Sequence, residues 1–352
     1  MSATARPGGG ATLPGHQPRQ GGRRDRRRGS ARRRREARVA YLFVAPVVLG
    51  LLLFTAVPLA VSFGYSFTHW DLVAPAPTFV GWDNWIALTE DPRIGKVIWN
   101  TVRFILVGTT SFLLFSLLAA LLTHTPRRFV GAYRAALFLP YVLSQIAVGI
   151  VWRWMFNSQT GPVTLAVELF GLDSPDWLLD PATAMISIAM VTTWQGIGYG
   201  MTLYIAGLNG VPESLLEAAK IDGAGAVRRF FSIVLPLISP TAFFLVVTSL
   251  IGALQLFDPV VAMTSSSSAV AAAGGPDNST RTIVLYMYNQ MFNYNEQISG
   301  LGYAATIAWM LALLTFLVTA VQFLLGRRFV HYEGAEPARA GRRRRTRKAA
   351  QP

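Results

Sequence analysis

The sequence has no cysteine. That excludes disulfides, thiolate nucleophiles and Cys-ligated zinc. Histidine is almost as scarce: the four residues His16, His69, His124 and His331 are scattered over tails and segment ends, so no metal centre is expected. Charge is short as well. Only 14% of the 352 residues are Asp, Glu, Lys or Arg, where a soluble domain carries roughly 25%. No Walker A sequence occurs, because Gly95-Lys96 is followed by Val97 and Glu90 stands where the first glycine of a phosphate loop belongs. Neither an ordinary soluble enzyme nor a nucleotide-hydrolysing one fits these absences, and no cofactor is expected.

What remains is apolar: 52% of residues are hydrophobic, yet the net charge is +14. Such basicity suggests a nucleic-acid binder until it is located. Residues 1–38 carry a net +10 and residues 327–352 a net +7, while the 288 residues between them carry −3. The basicity therefore belongs to two Arg-, Gly-, Pro- and Ala-rich tails that read as disordered. No nucleic acid is needed to explain it.

Crossing a hydrocarbon core of ~30 Å takes about 20 apolar residues. Six runs qualify, at 41–65, 102–123, 132–155, 184–208, 237–263 and 303–326. Arg103, Arg134, Arg153 and Asp258 lie towards span ends, where a charge can reach headgroups or face a cavity. The long basic lead of the first run, with no small-residue site after a short apolar core, argues against a cleaved signal peptide.

Basic residues in short loops set the orientation. Arg127, Arg128 and Arg134 follow the second span, and Lys220, Arg228 and Arg229 follow the fourth. Asp71, Asp83, Glu90 and Asp91, then Glu168, Asp173, Asp176 and Asp180, then Asp277 and Glu296, mark the opposite loops. Both termini are accordingly expected in the cytoplasm. Tryptophans 70, 82, 85, 99, 152, 154 and 177 fall near the outer ends, as interfacial anchors do. Gly196, Gly198 and Gly200 beside Gln195 and Tyr199 allow either close helix packing or an uneven helix lining a pathway.

The most specific stretch is 211–240, with Glu217-Ala218-Ala219, Asp222-Gly223, Ile233 and Leu235-Pro236 in order. It reads as a short helix, a tight stop, a second short helix and a return into the membrane. Pro212 suits the first helical position and Glu213 the positive helix end. Gly223 suits the left-handed stop. About ten residues of helix are not stable alone, so this one needs something to dock into.

At those positions the loop resembles that of the inner-membrane permease subunits of bacterial ABC importers. Its carbohydrate-type branch, with maltose, glycerol-phosphate and lactose permeases, is similar at Ala40-Tyr41-Leu42-Phe43-Val44-Ala45-Pro46 and at Phe79-Val80-Gly81-Trp82-Asp83-Asn84-Trp85. Phe138-Leu139-Pro140-Tyr141-Val142-Leu143-Ser144, Trp152-Arg153-Trp154-Met155-Phe156-Asn157, Gln255-Leu256-Phe257-Asp258 and Gly274-Gly275-Pro276-Asp277-Asn278-Ser279-Thr280 resemble its members too. One departure is the Ser/Ala-rich run 265–273, where members pass almost directly from the equivalent of Thr264 into Gly-Gly-Pro.

The resemblance implies an all-α membrane protein of the type-I ABC importer permease fold, with six transmembrane helices and cytoplasmic termini. Residues 1–38 would be a basic tail, 39–96 the first helix and an external loop, 97–326 the ABC type-1 transmembrane domain, and 327–352 a second basic tail. Within that domain, loop 209–235 would be the ATPase coupling loop. The implied role is a non-enzymatic permease in the bacterial cell membrane, passing a sugar or polyol. Its implied partners are a second permease as heterodimer, two ATP-binding subunits and an extracytoplasmic solute-binding protein. Ser249 and Gln255 gain support as cargo contacts from the maltose-type relatives, beside Gln195, Tyr199 and Asp258, which are chosen as polar groups deep in apolar spans. The other possibility for each is that it satisfies a neighbouring helix.

Two other classes are weighed. A membrane-embedded transferase needs paired carboxylates, a His or an Asp cluster. A secondary transporter needs intramembrane ionisable residues and often an internal repeat. Neither pattern is evident.

Overall fold

The computed structural model describes residues 22–71, 73–125, 128–265, 273–292 and 299–329, with side chains from 36 to 326 within those segments. Arg127, Glu296, the outer parts of both tails and all but the ends of the Ser/Ala-rich run lie outside the described residues. The chain divides into two units, up to Val61 and from Ser62 onward.

The first unit is helical. Helix α1, Gly22–Leu51, runs through a π-helical turn at Leu52–Ala56 into α2, Val57–Tyr65. The helix starts inside the arginine-rich stretch expected to be disordered. An established helix grows by one hydrogen bond per residue without a new nucleation cost, and Arg and Ala are good helix formers. No residue from 36 to 61 is buried, so the apolar run presents its side chains outward over that stretch.

The second unit opens with a small antiparallel hairpin, β1 Thr68–His69 and β2 Thr78–Phe79, paired as Thr68 with Phe79 and His69 with Thr78. Helix α3, Asp83–Glu90, follows, and its buried Asn84 donates to the carbonyls of Ser66 (3.0 Å) and Thr68 (2.8 Å). The second span is longer than expected. Helix α4, Pro92–Phe104, a π-helical turn at Ile105–Thr109 and α5, Thr110–His124, together make a helix of 33 residues. It starts early because Asp91 caps it by accepting from the Arg93 N–H (3.0 Å) and Pro92 sits where no N–H is needed.

The third span is not one helix. Helix α6, Val130–Val142, and α7, Gln145–Met155, meet at 99° across Leu143 and Ser144, both extended. Pro140 cannot sustain the hydrogen-bond ladder of the helix it ends. Helix α8, Pro162–Leu169, leads to the 26-residue α9, Ala184–Asn209.

After α9 come α10, Glu213–Ile221; α11, Ala226–Arg229; a π-helical turn at Phe230–Val234; and α12, Leu235–Leu237. Helix α13, Ser239–Leu254, leaves this segment at 67°. The expected fifth span therefore starts at Ser239 and stops at Leu254, and Gln255, Leu256 and Phe257 separate it from α14, Asp258–Thr264. Helices α15, Ile283–Phe292, and α16, Leu301–Phe329, complete the fold.

Among the described residues, three helices are long and apolar enough to cross a membrane, or five when each bent pair counts as one span. Helix α9 has the length of a span, about 39 Å at 1.5 Å per residue. Thr192, Thr193, Gln195 and Tyr199 make it less apolar than those five.

Helix α9 is the axis of the second unit. One apolar cluster, with Phe104, Met185, Ile188 and Val260, surrounds its first half, and another, with Ala120, Met201, Tyr204 and Leu245, its second half. Glycines set its distance from its neighbours. A side chain at Gly198 would run into the backbone of Leu137 and Phe138 on α6, one at Gly200 into Ser116 on α5, and one at Gly207 into Thr241 Oγ1 at 2.7 Å. Close packing is thus what Gly198, Gly200 and Gly207 provide.

Candidate functional site

A cavity of about 610 Å³ opens where the broken helices meet α9, a size that suits a small-molecule site. Each wall arises from a local interruption. The π-helical turn before α5 brings Gly108 and Thr109 to the cavity, and the break between α6 and α7 brings Tyr141 and Gln145. Helix α9 contributes Thr192, Thr193, Gly196 and Tyr199. The end of α13 and the break after it contribute Thr248, Ser249, Gln255, Phe257 and Asp258. A polar group at these points costs less than in an unbroken lipid-facing helix, because the backbone there already lines a space that water can enter.

Tyr141 and Tyr199 form the most ordered part of the wall. Their rings stack with centroids 4.9 Å apart and planes inclined by 13°. Three hydroxyls of the wall are committed in one direction. Thr192 donates to the Ile188 carbonyl (3.0 Å), Thr248 to that of Phe244 (2.9 Å) and Ser249 to that of Val246 (3.2 Å). A carbonyl can only accept, so each of these oxygens keeps its lone pairs for a donor in the cavity.

Four of the five pathway residues expected from sequence, Tyr199, Ser249, Gln255 and Asp258, line this cavity. Gln195 does not. It is buried, and its Nε2 donates to the Leu143 carbonyl (3.1 Å), one of the acceptors freed where α6 ends. The amide gives that carbonyl a donor in place of the helical one it lacks, a hydrogen bond worth about 0.5–1.5 kcal/mol. Sequence reasoning missed Tyr141, Gln145, Thr192, Thr193 and Thr248. Tyr141 lay inside a motif already singled out, and Gln145 stands just past the break that hydropathy overlooked.

The segment 209–235 is exposed along α10: Ile221 is 87% exposed and Leu215 is 44% exposed. Pro212 is the residue before α10 rather than its first, while Glu213 does occupy the first turn. The stop is a Schellman motif. Gly223 has φ +79 and donates to the Lys220 carbonyl (3.1 Å), and Ala224 donates to that of Ala219 (2.9 Å). Glu217, Ala218 and Ala219 lie on this helix, Asp222 closes it, Ile233 falls in the π-helical turn, and Leu235 and Pro236 form α12.

Away from the cavity, Asp91 ties α4 to α15 and α16. Its carboxylate accepts from the hydroxyls of Tyr286 and Tyr303 (the latter at 2.8 Å) and from Arg93 Nε (2.9 Å). Burial opposes ionisation, but Arg93, the two tyrosines and the Arg93 N–H outweigh it and hold the group at about 2. Asn100 pins the Gly-Gly-Pro loop by donating to the carbonyls of Asn278 (2.8 Å) and Arg281 (3.1 Å). Among the described residues, no group of three or more His, Asp or Glu is placed to hold a metal.

Residues 112–331 match the family described as binding-protein-dependent transport system inner membrane component. The lactose transport system permease protein LacF of Rhizobium radiobacter is 34% identical over 82% of this chain and 93% of its own length. The sn-glycerol-3-phosphate transport system permease protein UgpA of Escherichia coli (strain UTI89 / UPEC) is 33% identical over 83% of this chain and 95% of its own. Among solved structures, a chain of a bacterial ABC transporter involved in the import of the acidic polysaccharide alginate superposes with a TM-score of 0.70 at 19% identity. That match covers 84% of this chain and 98% of the other, and it speaks for the fold. A helical bundle broken around a polar cavity, carrying a sequence that matches the family from α5 onward and its relatives over more than four fifths of its length, belongs to the inner-membrane permeases of binding-protein-dependent transport systems.

Proposed function

We propose that this chain is one of two permease subunits of a carbohydrate importer in a bacterial cell membrane. A sugar or polyol arrives from an extracytoplasmic binding protein and passes through the cavity beside α9. Two separate ATP-binding subunits supply the energy. The observation that carries the reading is the cavity itself, a hydroxyl-, amide- and aromatic-lined space set at the breaks of otherwise apolar helices. Relatives named for lactose and for glycerol phosphate support a carbohydrate or polyol cargo, and the alginate importer supports the bundle.

In this reading α9 and the two bent pairs each cross the bilayer once, giving six spans with α1–α2, α4–α5 and α16, and both termini are cytoplasmic. The unburied apolar face of residues 36–61 then faces lipid or the second permease. Helix α10, too short to stand alone, seats Glu217, Ala218 and Ala219 in a groove of the ATPase. Closure of the ATPases moves α10, and the bundle swings as a rigid body to alternate access to the cavity. Tyr199, Ser249, Gln255 and Asp258 contact the cargo.

The test is expression of the whole transporter with and without this chain, reading ATP-dependent carbohydrate uptake and recovery of the ATPase with the membrane complex. Omitting the chain should abolish both. Glu217→Arg should leave the permease in the membrane but release the ATPase; full ATPase recovery and full uptake with that substitution would refute the docking role.

A further inference from the structure

Relatives are named for both uncharged and anionic cargo, so family membership leaves the charge of the cargo open. The cavity wall addresses it. Among the described residues, its one acidic or basic side chain is Asp258, and no Arg, Lys or His lines it. The arginines at the span ends are engaged elsewhere: Arg134 donates to the Thr123 carbonyl (2.6 Å) and Arg103 to that of Ala182 (3.5 Å). Arg153 lines a separate, smaller cavity and donates to the Ser265 carbonyl (2.6 Å).

Hydrogen-bond polarity points the same way as charge. Thr192, Thr248 and Ser249 spend their hydrogens on their own helix, so they offer acceptors to whatever enters. A phosphate, sulfonate or carboxylate is acceptor-only and needs donors or a cation. Against this wall it would lose its hydration and meet no cation, while a carboxyl group and those lone pairs oppose the amide and phenol donors of Gln145, Gln255, Tyr141 and Tyr199. A hydroxyl-rich molecule has hydrogens to give to each of those oxygens, and the stacked Tyr141–Tyr199 pair offers an aromatic wall for the C–H face of a sugar ring.

We infer that this chain's wall of the pathway selects an uncharged, polyhydroxylated cargo, a neutral saccharide or polyol, and rejects anions. The inference rests on the importer reading above. To separate the two, cells with the complete transporter are compared with cells lacking this chain. The medium mixes neutral oligosaccharides and polyols with uronates, sugar phosphates and sugar sulfonates, and depletion is followed by mass spectrometry. Loss confined to one or more neutral compounds is expected. Loss of uptake of an anion overturns the selectivity and leaves the importer reading standing. Unchanged depletion of every carbohydrate overturns both.

With the neutral cargo so identified, Thr248→Val combined with Ser249→Ala removes two acceptors. Uptake should slow about five- to thirtyfold at equal membrane levels. The pair Thr248→Ser with Ser249→Thr keeps both hydroxyls and should retain uptake. Equal rates for the apolar pair and the parent would overturn the acceptor role of this wall.

Discussion

Replacing Gly198 by alanine separates two effects of opposite sign. In a free helix, Gly→Ala stabilises by about 1 kcal/mol, because glycine loses more backbone freedom on folding. At Gly198 the new methyl would meet the Leu137 carbonyl and Phe138 Cα. Those are backbone atoms of α6 and cannot rotate aside, so the helices must separate, at an overpacking cost of about 1–3 kcal/mol. The cost wins at the upper end of that range, and a net loss of about 2 kcal/mol is expected. Gly95 inside α4 is the control. Nothing lies within 4 Å of its added Cβ, so Gly95→Ala should gain up to about 1 kcal/mol. Gly196→Ala should fall between, since its neighbour is the Phe112 ring at 3.0 Å, a side chain able to turn.

Thermal unfolding of the purified complex in lipid nanodiscs, followed by tryptophan fluorescence, should rank the variants in the order Gly95, Gly196, Gly198. The same perturbation has a functional consequence, because α6 carries Tyr141 and α9 carries Tyr199. Moving these helices apart opens the 4.9 Å stack on the cavity wall, so uptake should fall with Gly198→Ala and not with Gly95→Ala. A Gly198→Ala protein as stable and as active as Gly95→Ala would refute the claim that backbone contact at Gly198 sets the width of the site.

Gln195→Leu should destabilise by about 0.5–1.5 kcal/mol, by removing the donor to the Leu143 carbonyl, yet leave the choice between cargoes unchanged; altered selectivity would place Gln195 in the pathway after all. Gly223→Val forces a β-branched residue into φ +79, at about 1–2 kcal/mol of local strain, and should weaken ATPase recovery while leaving membrane levels intact. Asp91→Asn should cost about 1.5–3 kcal/mol near neutral pH, the scale of hydrogen bonds to a charged group. Because Asp91 is held at about 2 instead of 3.8, its contribution is complete above about pH 4 and fades as the pH falls through about 2. The stability gap between parent and Asp91→Asn should shrink over that interval, and a gap constant with pH would show that its charge is not what binds α4 to α15 and α16.

Much of this architecture is legible in the sequence because apolar run length and loop punctuation are local. The order Glu217-Ala218-Ala219, Gly223 and Leu235-Pro236 gave the short helix, its left-handed stop and the second helix before any contact was known. What run length cannot register is a change of direction inside an apolar stretch. Residues 132–155 and 237–263 each read as one predominantly apolar run, yet the first bends by 99° at Leu143 and Ser144 and the second breaks after Leu254. Hydropathy scores side chains, whereas a break is decided by where freed carbonyls and N–H groups find partners. Pro140 and Pro259 were visible, but the partner Gln195 lies 52 residues from Leu143.

Gln195 shows why the site was harder to read than the fold. At a period of 3.6 residues it stands only about 40° around α9 from Tyr199 and about 60° from Thr192, so helical spacing groups all three on one face. The structure divides that face. Thr192 and Tyr199 line the cavity, while Gln195 turns to the edge where α6 has ended and its last carbonyls need a donor. A polar residue in a membrane helix thus has two physical uses, to meet cargo or to repair a neighbour's broken backbone, and they differ by less than one residue's rotation. Only the position of the break on α6 assigns each. The break that opens the cavity also creates the demand that draws Gln195 away from it, so substitutions that straighten the α6–α7 junction should release Gln195 and close the site together.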